Sequence, residues 1–167
     1  MDVVAKRRGA ERVRRLLGKK LRPLGFVRGK TSFWARPQGH VIEFLHLHLF
    51  TFTPAFRAHA GIRVVNDTSA AAALNGPTSD GSWSGTRGHY SLEFADSEQS
   101  QESCATEIAR FCSEIAEPWF ERHRESTVLL TADSVLTESA RASLDRALRG
   151  FTDPEAAQLS RELLGVA

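Results

Sequence analysis

Two histidines stand one residue apart in "EFLHLHLF", Glu43 to Phe50. On an extended strand, residues two apart point to the same side, so His46 and His48 would project together. Two neutral imidazoles at that spacing can ligate Zn²⁺, and a catalytic zinc needs a third protein ligand beside an open position. His59, His89 and Glu93 are the residues that could complete such a set. The chain has no H-E-x-x-H and no C-x-x-C, the short spacings that mark zinc sites most directly.

The same residues suit a second chemistry that needs no metal. His46 and His48 share their strand face with Ile42, Phe44 and Phe50. Trp34 and Arg36 would join them from the preceding strand. Arg57, His59 and Arg63 would come from the following strand, and His89 and Glu93 from a fourth. Together they read as an aromatic, basic, histidine-rich sheet face. Trp and Arg are favoured at binding hot spots, so this face fits a protein or an anionic ligand. The alternative is that C-terminal helices cover it.

Nucleophilic catalysis finds little support. "SWSGTRG" (Ser82 to Gly88) carries Ser82, Ser84 and Thr86 among glycines. It is not G-x-S-x-G on a strand-to-helix turn, and no G-K-[ST] makes it a P-loop. Cys104 and Cys112 lie eight residues apart in a helical pattern. That spacing rises about 12 Å, beyond the reach of a disulfide, so both read as buried thiols. No catalytic residue is assigned.

The elements that must position these residues follow from periodicity. A helix is expected from Asp2 to Leu21, with Val13, Leu16, Leu17, Leu21 and Leu24 on one apolar stripe, ended by Pro23 and Gly25. Thr31–Arg36 reads as a strand, Pro37–Gly39 as a turn, and His40–Phe50 as the second strand of a hairpin. Leu45, Leu47 and Leu49 should face the helices. Phe56–Val65 and His89–Ala95 alternate as third and fourth strands, joined by a long polar connection in which Ser69–Gly76 suggests a short helix.

From Ser97 the helical pattern returns, with Cys104, Ile108, Phe111, Cys112, Ile115 and Trp119 on one face and Pro118 expected to kink or end it. Ser126–Thr131 is ambiguous between strand and helix. Two helices are expected at the end: one starts at Thr137 and closes at Gly150, and the other has a Thr152/Glu155 capping box and a stop at Gly165. The fold expected is α+β. An antiparallel sheet of about four strands packs on N- and C-terminal helices on one face. Residues 1–125 form the domain, and residues 126–167 a helical extension packed on it.

At 167 residues with 41% hydrophobic and 25% charged composition, this is one globular domain. No apolar run approaches the roughly 20 residues that cross a bilayer, and the first residues lack the apolar stretch of a secretory signal. A cytoplasmic location is the expectation, with no membrane partner. Residues 1–30 hold 11 of the 22 Lys and Arg and only two acids, Asp2 and Glu11, a balance of +9 against −7 over the rest. Such a helix could meet nucleic-acid phosphates. Its bases surround the apolar stripe, however, and form no separate reading face. A solvated helix pairing with Glu107, Glu114 and Glu121 is the favoured reading.

Taken in order, a basic helix runs into "LRPLGFVRGKTSFWARPQGHVIEFLHLHLF". "AGIRVV" (Ala60–Val65), a variable loop and a helix ending "IAEPWFERH" (Ile115–His123) follow. Over roughly residues 10–125 this resembles the bacterial family catalogued as domain of unknown function 4304. The resemblance implies an α+β domain and carries over no catalytic residue. Members tend to have Gln-type residues in the second strand, where this chain has His46 and His48. Small bacterial domains of this kind often sit beside toxin or defence systems, which suggests an immunity-type partner binder.

The function read from the sequence is a non-catalytic protein-binding module without cofactor. Nucleic-acid binding through the first helix is the alternative, followed by a metal-dependent hydrolase at His46 and His48.

Overall fold

The computed structural model describes residues 1–81 and 90–166. Helix α1 (Val3–Leu21) forms where the apolar stripe predicts: Val13, Leu17 and Leu21 are fully buried. The Asp2 carboxylate caps it, accepting from the Ala5 amide at 2.7 Å. A single 3₁₀ turn, Arg22–Leu24, ends it, and Gly25 takes the left-handed conformation that closes the turn (φ 83°).

Four antiparallel strands follow in sequential order: β1 (Val27–Lys30), β2 (Phe33–Gln38), β3 (Val41–Leu49) and β4 (Phe56–Val64). Strand β1 was not anticipated, because "VRGK" is short, polar and interrupted by glycine. Its pairing slips between Arg28 and Lys30. The expected fourth strand contributes one bridge, Glu93 opposite Ala55, and His89 lies outside the described residues.

The outer edge of β4 explains why that strand does not form. Ala60 donates to the Pro77 carbonyl and Ser79 donates to that of Ala58, each at 2.9 Å. Ser79 Oγ accepts from the Ala58 amide at 3.0 Å. The Asn75 carboxamide bonds both the amide and the carbonyl of Ile62. The Ser69–Gly76 stretch therefore runs as a non-helical strap along β4 instead of forming a helix.

One sheet face carries Trp34, Leu45, Leu47, Ala58, Ala60 and Ile62 into the main core. There they meet α1, α2 (Glu98–Phe111) and α3 (Glu117–His123). Between α2 and α3 the helix widens to a π turn, Cys112–Ala116, with Pro118 in the first turn of α3. Proline has no amide to offer the preceding turn, and an extra residue absorbs the mismatch. The ambiguous 126–131 stretch is helical as α4 (Ser126–Leu129).

Helix α5 (Glu138–Leu148) is capped by Thr137. Helix α6 (Pro154–Leu164) is capped by Asp153 and not by Thr152. Leu129, Leu136, Ala140 and Leu144 join the main core, so this extension packs on the same domain. Helix α6 crosses to the second sheet face, where Leu164 and Val166 pack on Ala35, Ile42 and Phe44. The α+β class and the four-stranded antiparallel sheet stand as expected, but the helices do not keep to one face, because the apolar Ala35, Ile42 and Phe44 of the second face take α6. Among the described residues no helix is long and apolar enough to cross a membrane.

Candidate functional site

Register assigns each candidate to a face. Trp34 pairs with Leu45 and Arg36 with Glu43, so both look toward the main core. Phe33 pairs with His46, and His46 with His59; His48 pairs with Arg57, Phe44 with Gly61, and Ile42 with Arg63. These residues share the second face. Trp34 and Arg36 therefore do not belong with the histidines.

Trp34 is 0% exposed. Arg36 is 6% exposed and sits in a buried ion cluster. Its Nε donates to Glu43 Oε2 at 2.6 Å, and its Nη1 donates to the Leu24 carbonyl at 2.6 Å. Its Nη2 lies 2.8 Å from Glu117, and its guanidinium stands 4.2 Å from the centre of the Phe26 ring. Arg124 donates to Glu43 from the other side at 3.0 Å. A carboxylate without solvent must be paired and hydrogen-bonded, and Arg36 supplies both. The signal was legible: Glu43 alternates with Leu45 and Leu47 on the helix-facing side.

Phe44 and Arg63 are on the second face, but both are buried. Arg63 donates to Ser160 Oγ of α6 at 2.7 Å and to the carbonyls of Ala71, Asp67 and Ser69 at 2.7–2.9 Å. It fastens the strap and α6 to the sheet and is not free to meet a partner.

What remains open is a strip at the far end of the same face. The His46 ring lies 4.7 Å from Phe33 and 6.0 Å from His59, centre to centre. Burial pushes His46 down to about 4, helped by the nearby His59 and His48. Burial also lowers His59, with Arg57 adding to the effect and Asp80 opposing it. His46 is therefore a neutral imidazole at pH 7. The exposed His48 sets its ring edge-on to Phe50 at 5.4 Å. Arg57 stacks on Phe50 and pairs with Asp80 at 2.9 Å. Exposed Glu93 borders this end beside Phe50, Arg57 and Asp80.

Sequence reasoning missed Phe52, which is 96% exposed in the β3–β4 loop. Lys6 Nζ holds that loop to α1 by donating to the carbonyls of Phe50 and Thr51, each at 2.6 Å. A charged side chain spent on backbone carbonyls 44 and 45 residues away leaves no local signature.

Three other expectations meet the structure here. Among the described residues, no three His, Cys, Asp or Glu side chains converge to hold a metal. Cys104 and Cys112 are buried thiols, each pushed up to about 12 chiefly by burial, which makes them poor nucleophiles. The "SWSGTRG" segment lies outside the described residues.

The basic helix pairs with other acids than expected. Arg8 meets Asp96 at 3.3 Å and Arg12 meets Glu98 at 2.9 Å, while Glu11 on the same helix takes Arg28 of β1 at 2.6 Å. Glu107 and Glu114 engage Arg110 on their own helix instead. The partners of α1 are the acids around the start of α2.

The chain matches no family model, no curated protein and no solved structure.

Proposed function

We propose that this domain is a non-catalytic module that captures a protein partner on the open strip of its second sheet face. The observation that carries the reading is the division of that face. Helix α6 seals Ala35, Ile42 and Phe44, while His48 is exposed and His46, Arg57 and His59 are half-buried, and the loop that follows β3 carries the 96% exposed Phe52. An aromatic ring held in solvent by a pinned loop gains its apolar burial only when something docks on it. Aromatic residues and Arg anchor interfaces because they remove much area from water at low entropic cost. The immunity-type reading drawn from the family resemblance agrees with a partner-capturing role.

The test is capture of a purified candidate partner by wild-type chain and by Phe52→Ala, His48→Ala and Arg57→Ala. These variants should lose capture by about tenfold or more each while keeping the wild-type melting temperature. Undiminished capture by all three would sink the reading.

A second reading is favoured by the exposed Arg7, Arg15 and Lys19 of α1 and Arg22 of the turn after it, which have no ion pair among the described residues. It makes α1 a nucleic-acid surface, with affinity that falls steeply as salt rises. A flat salt response removes it.

A further inference from the structure

The pair of histidines that the fold brings together is not the pair that the sequence displays. His46 and His48 are neighbours on β3, but His48 turns its ring to Phe50. His59 is the residue directly opposite His46 on the adjacent strand.

We propose that His46 and His59 hold one Zn²⁺ ion between them, with its remaining positions filled by water. The spacing is right for this. Zn–N bonds of about 2.0–2.1 Å place an ion roughly 3.2 Å from each ring centre, so two imidazoles on one ion stand roughly 5.2 Å apart at a tetrahedral angle and roughly 6.4 Å apart in line. The observed separation of 6.0 Å falls inside that window.

The surroundings agree. Both histidines occupy paired positions in the middle of long strands, where the backbone is fixed by ladder hydrogen bonds on either side. Phe33 buttresses His46 from the flank away from His59. Arg57, which acts on His59, is paired with Asp80 at 2.9 Å, and that carboxylate opposes part of its effect.

One feature sets the strength. His46 Nδ1 has no hydrogen-bond partner among the described residues. Zinc-bound imidazoles gain affinity when the second ring nitrogen donates to an acceptor, and loss of that acceptor weakens a site by 10–100-fold. With two protein ligands and no such support at His46, binding belongs in the micromolar range. It is separate from partner capture and can stand or fall without it.

The experiment is calorimetric titration of ZnCl₂ into the untagged chain after EDTA stripping and desalting. One ion per chain is expected, with a micromolar Kd. His59→Asn and His46→Asn should each abolish saturable micromolar binding, because a single imidazole is then left to hold the ion. His48→Asn and the distant His40→Asn should leave it unchanged. The His46 and His59 imidazole resonances should shift together as zinc is added. Absence of saturable binding overturns the proposal. So does a site lost in His48→Asn and kept in His59→Asn, which restores the same-strand pair. Circular dichroism of each variant keeps a folding defect from passing as a lost ligand.

Discussion

The ring of Phe44 occupies the space where a side chain on Gly61 would stand. The two residues are directly paired on β3 and β4, and a Cβ added at Gly61 would run into the far edge of that ring. Gly61 is thus a receptor for Phe44, and Phe44 in turn becomes part of the floor on which α6 rests.

Gly61→Ala should destabilise the domain by about 1–3 kcal/mol, the usual cost of overpacking a dense site. Combining it with Phe44→Leu should restore part of the loss, because the smaller side chain vacates the contested space. Urea unfolding of both single variants and the double variant gives the coupling directly. Strict additivity would show that the two residues do not contend for space.

Arg36→Met leaves Glu43 buried with a single cation, Arg124. Breaking a buried pair from one side costs about 3–5 kcal/mol, and that loss is expected here. The double variant Arg36→Met/Glu43→Leu should recover most of it, since the fully buried carboxylate is then gone and the less buried Glu117 keeps Arg124 at 3.8 Å. Denaturation midpoints at constant slope provide the measurement.

Stability should fall with acid between pH 6.5 and pH 4. His46 titrates at about 4 in the fold, against 6.5 as the ordinary value. In that window the unfolded chain binds a proton that the folded chain refuses, so ΔG of unfolding decreases as pH drops. His59, lowered for the same main reason, acts in the same direction. His46→Asn should flatten the dependence over this window. Thermal melts in the presence of EDTA, taken through that range, test it, and an unchanged slope in the variant would count against the shift.

Gly29→Ala should loosen α6. A side chain at Gly29 would collide with the carbonyls of Leu164 and Gly165, which are backbone and cannot swing aside. Hydrogen exchange should rise in α6 and in the Ile42–Phe44 segment beneath it, while α1 and α2 keep their protection. Uniform exchange across the whole domain would show that this contact governs global stability instead.

The strands that carry the histidines were legible because period-2 alternation is strong from Val41 to Phe50. So was the direction of Leu45 and Leu47. Trp34 and Arg36 were placed on the wrong face because alternation says which residues share a side, not which side it is. That choice depends on register across the Pro37–Gly39 turn, and a one-residue offset inverts it. His59 could be listed as a candidate ligand, but its position opposite His46 needs the β3–β4 register and cannot be read from spacing. The roles of Arg63 and Lys6 were illegible for another reason. Lys6 bonds two backbone carbonyls and Arg63 three, beside Ser160 and the Asp67 carboxylate, and a carbonyl has no letter in the sequence. The strap that replaces the fourth strand is held largely by single side chains, Asn75 and Ser79, acting as strand mimics.

That strap limits how this protein can recognise anything. A sheet can recruit a partner by lending it a free edge, which reads backbone and is tolerant of sequence. Here the β4 margin is already spent on Asn75, Pro77, Ser79 and Leu92. The β1 margin is four residues long and broken by a bulge, a form that resists strand addition. Recognition must therefore pass through side chains standing on a face. A partner is selected by shape and chemistry, and a chain that is merely extended finds no template.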